Sequence, residues 1–221
     1  MLAFADRVGK IEVLKIPPGL YEDVRVSPDG KQLAFTIGDE ISRIGIYDLS
    51  GNTSVRRLTL PGSSNRPRWS PDGRQIAFLG STEGKNGIFL QNSDGTGTPE
   101  RLTTALPSEL HVPWAWSPDG KTLAYTLCKN FTGCGIYTVA LGGEHKVQTV
   151  ADVAYNAAFS PDGRWVAYTS SGGGSIGGNV SGFNNSHPER GTKYLENRLK
   201  RLSGRLMARS SFIIRPTMGN W

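Results

Sequence analysis

Two overlapping glycine-rich patterns late in the chain are the ones that would support a reaction. Gly173-Gly174-Ser175-Ile176-Gly177 satisfies the G-x-S-x-G pattern of a nucleophilic serine, and residues 172–177 satisfy the G-x-G-x-x-G pattern of a dinucleotide-binding loop. A serine nucleophile of that kind needs a strand before it, a helix after it, and a downstream Asp and His in a large α/β domain, but only 44 residues follow Gly177. The dinucleotide loop needs a βαβ unit, and none is present. The chain is therefore not expected to be an enzyme or to hold a cofactor.

Cys128 and Cys134 flank residues 129–133, where a hairpin would set them face to face. Either they form a disulfide in an oxidising compartment, or they are two small buried residues. The pair offers too few ligands for zinc, so no metal site is expected. His111, within residues 105–113, and Asn130-Phe131 fall on connecting segments, where binding residues concentrate; they are the candidate binding residues, with His111 as an ordinary loop residue the plainer alternative. Trp114 and Trp116 are read as core rather than as a ligand platform.

The scaffold beneath these residues is written four times. Ser-Pro-Asp-Gly begins at Ser27, Ser70, Ser117 and Ser160, spaced 43, 47 and 43 residues apart. A bulky apolar residue precedes each serine: Val26, Trp69, Trp116 and Phe159. A base follows each glycine, and then comes an aliphatic-Ala-aromatic triplet: Leu33-Ala34-Phe35, Ile76-Ala77-Phe78, Leu123-Ala124-Tyr125 and Val166-Ala167-Tyr168. Gly-Ile-aromatic follows in the first three units, at Gly45, Gly87 and Gly135, and Arg-Leu-Thr closes the first two, at Arg57 and Arg101. Ser-Pro-Asp-Gly reads as a hairpin turn: Pro presets φ, Asp bonds its own backbone, and Gly takes the conformation other residues resist. A period in the forties, with several short β-branched and aromatic runs bounded by turn residues, predicts an all-β propeller of four recognisable four-stranded blades, partial or open. In the second unit the first strand holds Arg68-Trp69, the second residues 75–79, the third lies near Ile88 and the fourth near Leu102. Two strand-like runs precede the first unit, residues 1–5 and 10–16, and suit the outer strands of a closing blade.

The formal net charge of +6 does not point to nucleic acid, because residues 1–169 carry 17 bases and 17 acids, while residues 170–221 carry 8 and 2. No apolar run is long enough for a spanning helix, and the first residues lack the pattern of a signal peptide. Residues 1–169 are thus read as propeller repeats and residues 170–221 as a Gly-rich, then basic tail, irregular and either disordered or shifted in frame. In a frame that joins the last base of each codon to the first two of the next, Met207-Ala208 must give Gly, since ATG followed by GCN supplies GGC. With permitted codons, residues 203–213 then yield Trp-Ser-Pro-Asp-Gly-Lys-Glu-Leu-Phe-Tyr, about 44 residues after Ser160. Residues 180–189 yield Ile-Trp-Val-Gln-Gln-Phe-Pro-Pro-Gly, an apolar third strand in phase.

Over residues 21–169 this frame resembles the TolB-type propeller repeat, a relative of WD-type propellers. Residues 2–10, running into Pro17-Pro18-Gly19, are similar in flavour to the propellers on the C-terminal side of bacterial receptor-like serine/threonine kinases. That resemblance implies a non-catalytic module binding a protein partner or small ligand through its loops. It also implies a periplasmic or extracytoplasmic site and a kinase domain upstream in the full gene; this chain itself has none of the kinase motifs. The alternatives are the propeller gate of a prolyl-oligopeptidase-type serine hydrolase and a TolB-like periplasmic translocation protein. Four blades with unpaired edges are expected to express poorly.

Overall fold

Each Ser-Pro-Asp-Gly closes a hairpin with one repeated set of bonds. Ser27 Oγ donates to Asp29 Oδ1 at 2.6 Å and accepts the Gln32 N–H at 2.9 Å, while Asp29 Oδ1 accepts the Lys31 N–H at 3.1 Å. The same bonds recur at Ser70-Asp72, Ser117-Asp119 and Ser160-Asp162. Gly30, Gly73, Gly120 and Gly163 stand at φ of 72°, 70°, 70° and 69°, the left-handed region that glycine enters without a Cβ clash. The serine hydroxyl first, and then the backbone N–H, hold each aspartate below its ordinary value of 3.8; Asp162, with Arg164 added, falls to about 2.

These turns join the strands of a computed structural model that describes residues 2–50, 54–58, 62–130, 133–171 and 179–185, with backbone alone at 170, 171 and 179–185. A hairpin comes first, β1 (Ala3–Ala5) with β2 (Ile11–Val13). The first blade is β3 (Tyr21–Val26), β4 (Gln32–Ile37), β5 (Arg43–Asp48) and β6 (Val55–Arg57). The second is β7 (Ser64–Trp69), β8 (Gln75–Thr82), β9 (Lys85–Asn92) and β10 (Glu100–Arg101). The third is β11 (Glu109–Trp116), β12 (Thr122–Lys129), β13 (Gly133–Ala140) and β14 (Val147–Ala151). The fourth sheet has three described strands, β15 (Ala154–Phe159), β16 (Trp165–Ser171) and β17 (Asn179–Asn185). Every sheet runs in chain order, and β3, β7, β11 and β15, the first strands of their blades, lie against one another in sequence.

Strand structure continues past Thr169, to Ser171 in β16 and again in β17, inside the segment expected to be irregular. The remainder of that segment, residues 172–178 and 186–221, lies outside the described residues, and so do Ser175 and the two glycine-rich patterns.

The core lies between blades. Ala34, Ile44, Ile46 and Leu58 of the first blade interdigitate with Ile76, Phe78 and Phe89 of the second. Ala77, Ile88, Leu90 and Leu102 of the second meet Leu123, Tyr125 and Val139 of the third, and Ala124 and Ile136 of the third meet Ala154, Ala157 and Val166 of the fourth. The alanine of each of the first three triplets thus faces the next blade, where a larger side chain would hold the sheets apart. The glycine of Gly-Ile-aromatic has the same role within a blade: a Cβ on Gly87 would lie 2.0 Å from the Thr103 carbonyl oxygen.

The free face of the first blade, Leu33, Phe35, Ile37 and Tyr47, is covered by Leu2, Leu14 and Ile16 from the N-terminal segment. The residues flanking the hairpin β1–β2 therefore cover that face, while the hairpin's own strands are exposed and, among the described residues, pair only with each other.

Candidate functional site

The inner strands of a propeller line its axis, and here each is bent by a bulge. Register breaks fall between Glu22 and Arg25, Asn65 and Arg68, Pro113 and Ala115, and Tyr155 and Ala157. Asp23, Arg66 and Asn156 sit in three of these breaks with φ of 50°, 57° and 52°. A bulge leaves one residue unpaired and re-aims its neighbours. It brings polar side chains to the inner edge of otherwise apolar blades, with Asp23 and Arg25 on β3 and Arg66 and Arg68 on β7. The sequence reading passed over these residues, because charges in a strand next to a turn look like a solvated face. The detectable signal was Arg25 and Arg68 at the same place in their units, two residues before the serine.

Tryptophans tie the inner strands together. Trp69 Nε1 donates to the Arg25 carbonyl at 3.1 Å, and Trp116 Nε1 donates to the Arg68 carbonyl at 3.1 Å, each reaching one blade back. Trp114 instead stays within its blade, donating to Thr126 Oγ1 at 2.6 Å. Trp116 packs on the core between the second and third blades and Trp114 on the next, while both also line an inner cleft.

His111, expected on a loop, lies within β11 and is only 4% exposed. Alternation along β11 turns it inward, so it cannot meet a ligand at the surface. Its Nδ1 stands 2.9 Å from Thr103 Oγ1, which also accepts the Ile88 N–H at 3.0 Å. The other ring nitrogen, Nε2, faces Glu109 Oε2 at 3.5 Å. Burial lowers the His111 pKa below 6.5 against the opposing pull of Glu109, and burial pushes the neighbouring Tyr125 hydroxyl up to about 12. The folded state takes up this proton less readily than the unfolded chain, so the His111 contribution to stability is complete above pH 6.5 and is lost as pH falls below it. His111→Gln is expected to flatten the decline in urea midpoint between pH 7 and pH 5; an unchanged decline would place its origin elsewhere.

Asn130 stands at φ 49° in the β12–β13 hairpin, its N–H donating to the Ser108 carbonyl at 2.8 Å. Phe131 lies outside the described residues. Cys128 and Cys134 are directly opposed in this hairpin, and their sulfurs are joined. The bond closes a short loop, so reduction is expected to cost about 2 kcal/mol by the loop-entropy relation. Comparing urea midpoints with and without dithiothreitol checks this.

No family model matches the chain. An uncharacterized protein of Agrobacterium fabrum is 32% identical over 181 residues, which is 76% of this chain and 57% of that protein. The chain thus spans little more than half the length of this curated relative. Among solved structures, a TolB candidate from Agrobacterium tumefaciens superposes with a TM-score of 0.60 at 26% identity, over 78% of this chain and 64% of that one. TolB from Acinetobacter baumannii gives 0.65 at 24% identity, over 81% and 44%. A prolyl endopeptidase gives 0.54 at 14%, over 75% and 28%, a likeness of fold alone. Four antiparallel sheets in chain order, the repeated turn and these likenesses establish a TolB-like β-propeller fold whose blades, among the described residues, are not closed into a ring.

Proposed function

We propose that the chain is a non-catalytic binding module, the propeller part of a larger bacterial sensor or regulatory protein. One observation carries this reading. Among the described residues, each turn serine spends its hydroxyl on the aspartate two residues on, and His111 is buried against Thr103. The partner is a protein or a small ligand meeting the propeller's loops and axis. The disulfide favours an oxidising compartment, hence a periplasmic or extracytoplasmic site. The proposed full protein carries a receptor-like serine/threonine kinase upstream, and residues 170–221 stem from a shifted reading frame.

The prolyl-oligopeptidase-type gate is the rival from another class, favoured by the fold likeness to a prolyl endopeptidase. A TolB-like translocation role is the second rival. Long-read sequencing of the locus, with several kilobases on both sides, decides among them. A reading frame joining the propeller to a kinase domain and a membrane helix supports the sensor; a hydrolase domain in the same frame overturns it.

A further inference from the structure

Arg68 is 5% exposed, yet no carboxylate forms an ion pair with it among the described residues. Its Nε donates to the Trp114 carbonyl at 3.0 Å and its Nη1 to the Pro67 carbonyl at 2.8 Å. Its guanidinium carbon lies 5.5 Å from the centre of the Trp114 ring, and Nη2 has no acceptor. Burial, reinforced by Arg25 and Arg66 and opposed by the Asp23 carboxylate, lowers the Arg68 pKa to about 10, so it keeps its charge at neutral pH. Desolvating a guanidinium with no carboxylate at ion-pair distance is costly even with Asp23 nearby, and buried arginines are ordinarily paired for that reason. Nothing in the packing of the second blade requires an arginine here: the third and fourth units carry alanine at the same place, Ala115 and Ala158.

Beside Arg68 opens a cleft of about 270 Å³, walled by Trp69, Trp114 and Trp116 and bordered by Arg25. That volume falls just below the usual range for drug-sized sites and suits a smaller ligand. The indole N–H bonds of Trp69 and Trp116 to the Arg25 and Arg68 carbonyls fix the aromatic walls against the two cations. Arg25 spends Nη1 on its neighbouring Val24 carbonyl and, like Arg68, has no carboxylate partner among the described residues.

We propose that this cleft at the propeller's inner edge binds a small organic carboxylate, its ring or apolar body against the tryptophans and its carboxylate on Arg68 and Arg25. With Asp23 already acting on Arg68, a monoanion suffices for the one buried guanidinium, whereas a phosphate dianion would bring an excess negative charge against the aromatic walls. A planar carboxylate also fits the planar guanidinium edge. The inference deepens the binding-module reading by naming a ligand class. A propeller that binds no anion leaves that reading standing, because the locus and not the cleft decides it.

The test titrates the full chain with benzoate, phenyl phosphate and benzyl alcohol, following tryptophan fluorescence and calorimetric heat. Benzoate is expected to bind saturably and to weaken with salt, with at least a tenfold loss of affinity in Arg68→Gln and in Arg25→Gln. The exposed Arg25 variant carries the test if the Arg68 variant fails to fold. Equal binding of benzyl alcohol would show a merely apolar cleft and overturn the proposal. Tighter binding of phenyl phosphate would overturn the choice of carboxylate, and no saturable benzoate binding up to ~10 mM, a Kd worth under about 3 kcal/mol, would overturn the site.

Discussion

Phe78→Ala is expected to lower stability by about 3–5 kcal/mol and to separate the unfolding of the first blade from the rest. Phe78 is 0% exposed, lies stacked at 6.0 Å on Phe89, and fills the core between the first and second blades. The cavity has little means of collapsing, because both walls are strands held in register by their ladders, Phe78 opposite Phe89 in one of them. Among the described residues the first blade is held to the second by this cluster, by the inner-strand bonds and by the outer bond from Arg56 Nη2 to the Ser93 carbonyl at 2.7 Å. Urea unfolding followed by far-UV circular dichroism should show a lower midpoint and a broader or split transition. Leu106→Ala, at a position 61% exposed, should move the midpoint by less than about 0.5 kcal/mol. A loss below about 1 kcal/mol for Phe78→Ala would mean that the blades are held together elsewhere.

The within-unit structure was legible because its causes are local. Ser-Pro-Asp-Gly contains its own hydrogen bonds, and the aliphatic-Ala-aromatic triplet declares a strand buried on both faces, so strand positions in the second unit fall where the residues placed them. Relations between units were not legible, since their partners lie a full repeat apart. The Trp69 and Trp116 indole bonds span 44 and 48 residues. The turns also touch across blades: a Cβ on Gly73, Gly120 or Gly163 would lie 3.6, 3.8 or 3.4 Å from the Cδ of Pro28, Pro71 or Pro118, so each turn leans on the one before it. His111 was placed on a loop because the stretch from Ala105 to Pro113 mixes polar residues with two prolines. The β11 ladder instead begins at Glu109 and tolerates Pro113 at a bulge. Arg68 escaped notice because burial of a charge follows from its surroundings and not from its own type.

Returning residues 170–221 to the shifted frame is expected to raise the melting temperature by roughly 10 °C and to increase soluble yield. The described end of the stack shows what is missing. Ala34, Ala77 and Ala124 are each 0% exposed because a following blade covers them, while Ala167, at the same place in the fourth unit, is only half-buried. Third strands elsewhere put apolar residues two apart on one face, as Ile44 and Ile46 or Ile88 and Leu90. Along β17 the apolar residues Val180 and Phe183 are three apart in sequence, which departs from that spacing. The shifted frame reads Ile-Trp-Val there, which restores a one-sided pair in phase with the other blades. It then supplies a fifth Ser-Pro-Asp-Gly whose glycine would meet Pro161 as Gly163 meets Pro118. Covering the fourth blade would add an interface like the others, where each of several buried apolar side chains contributes about 1.5–3 kcal/mol before the entropy of ordering is subtracted. Expressing both frames side by side and melting both proteins checks this. Equal yields and equal melting temperatures, or a locus with no insertion or deletion near codon 170, would make the basic tail native.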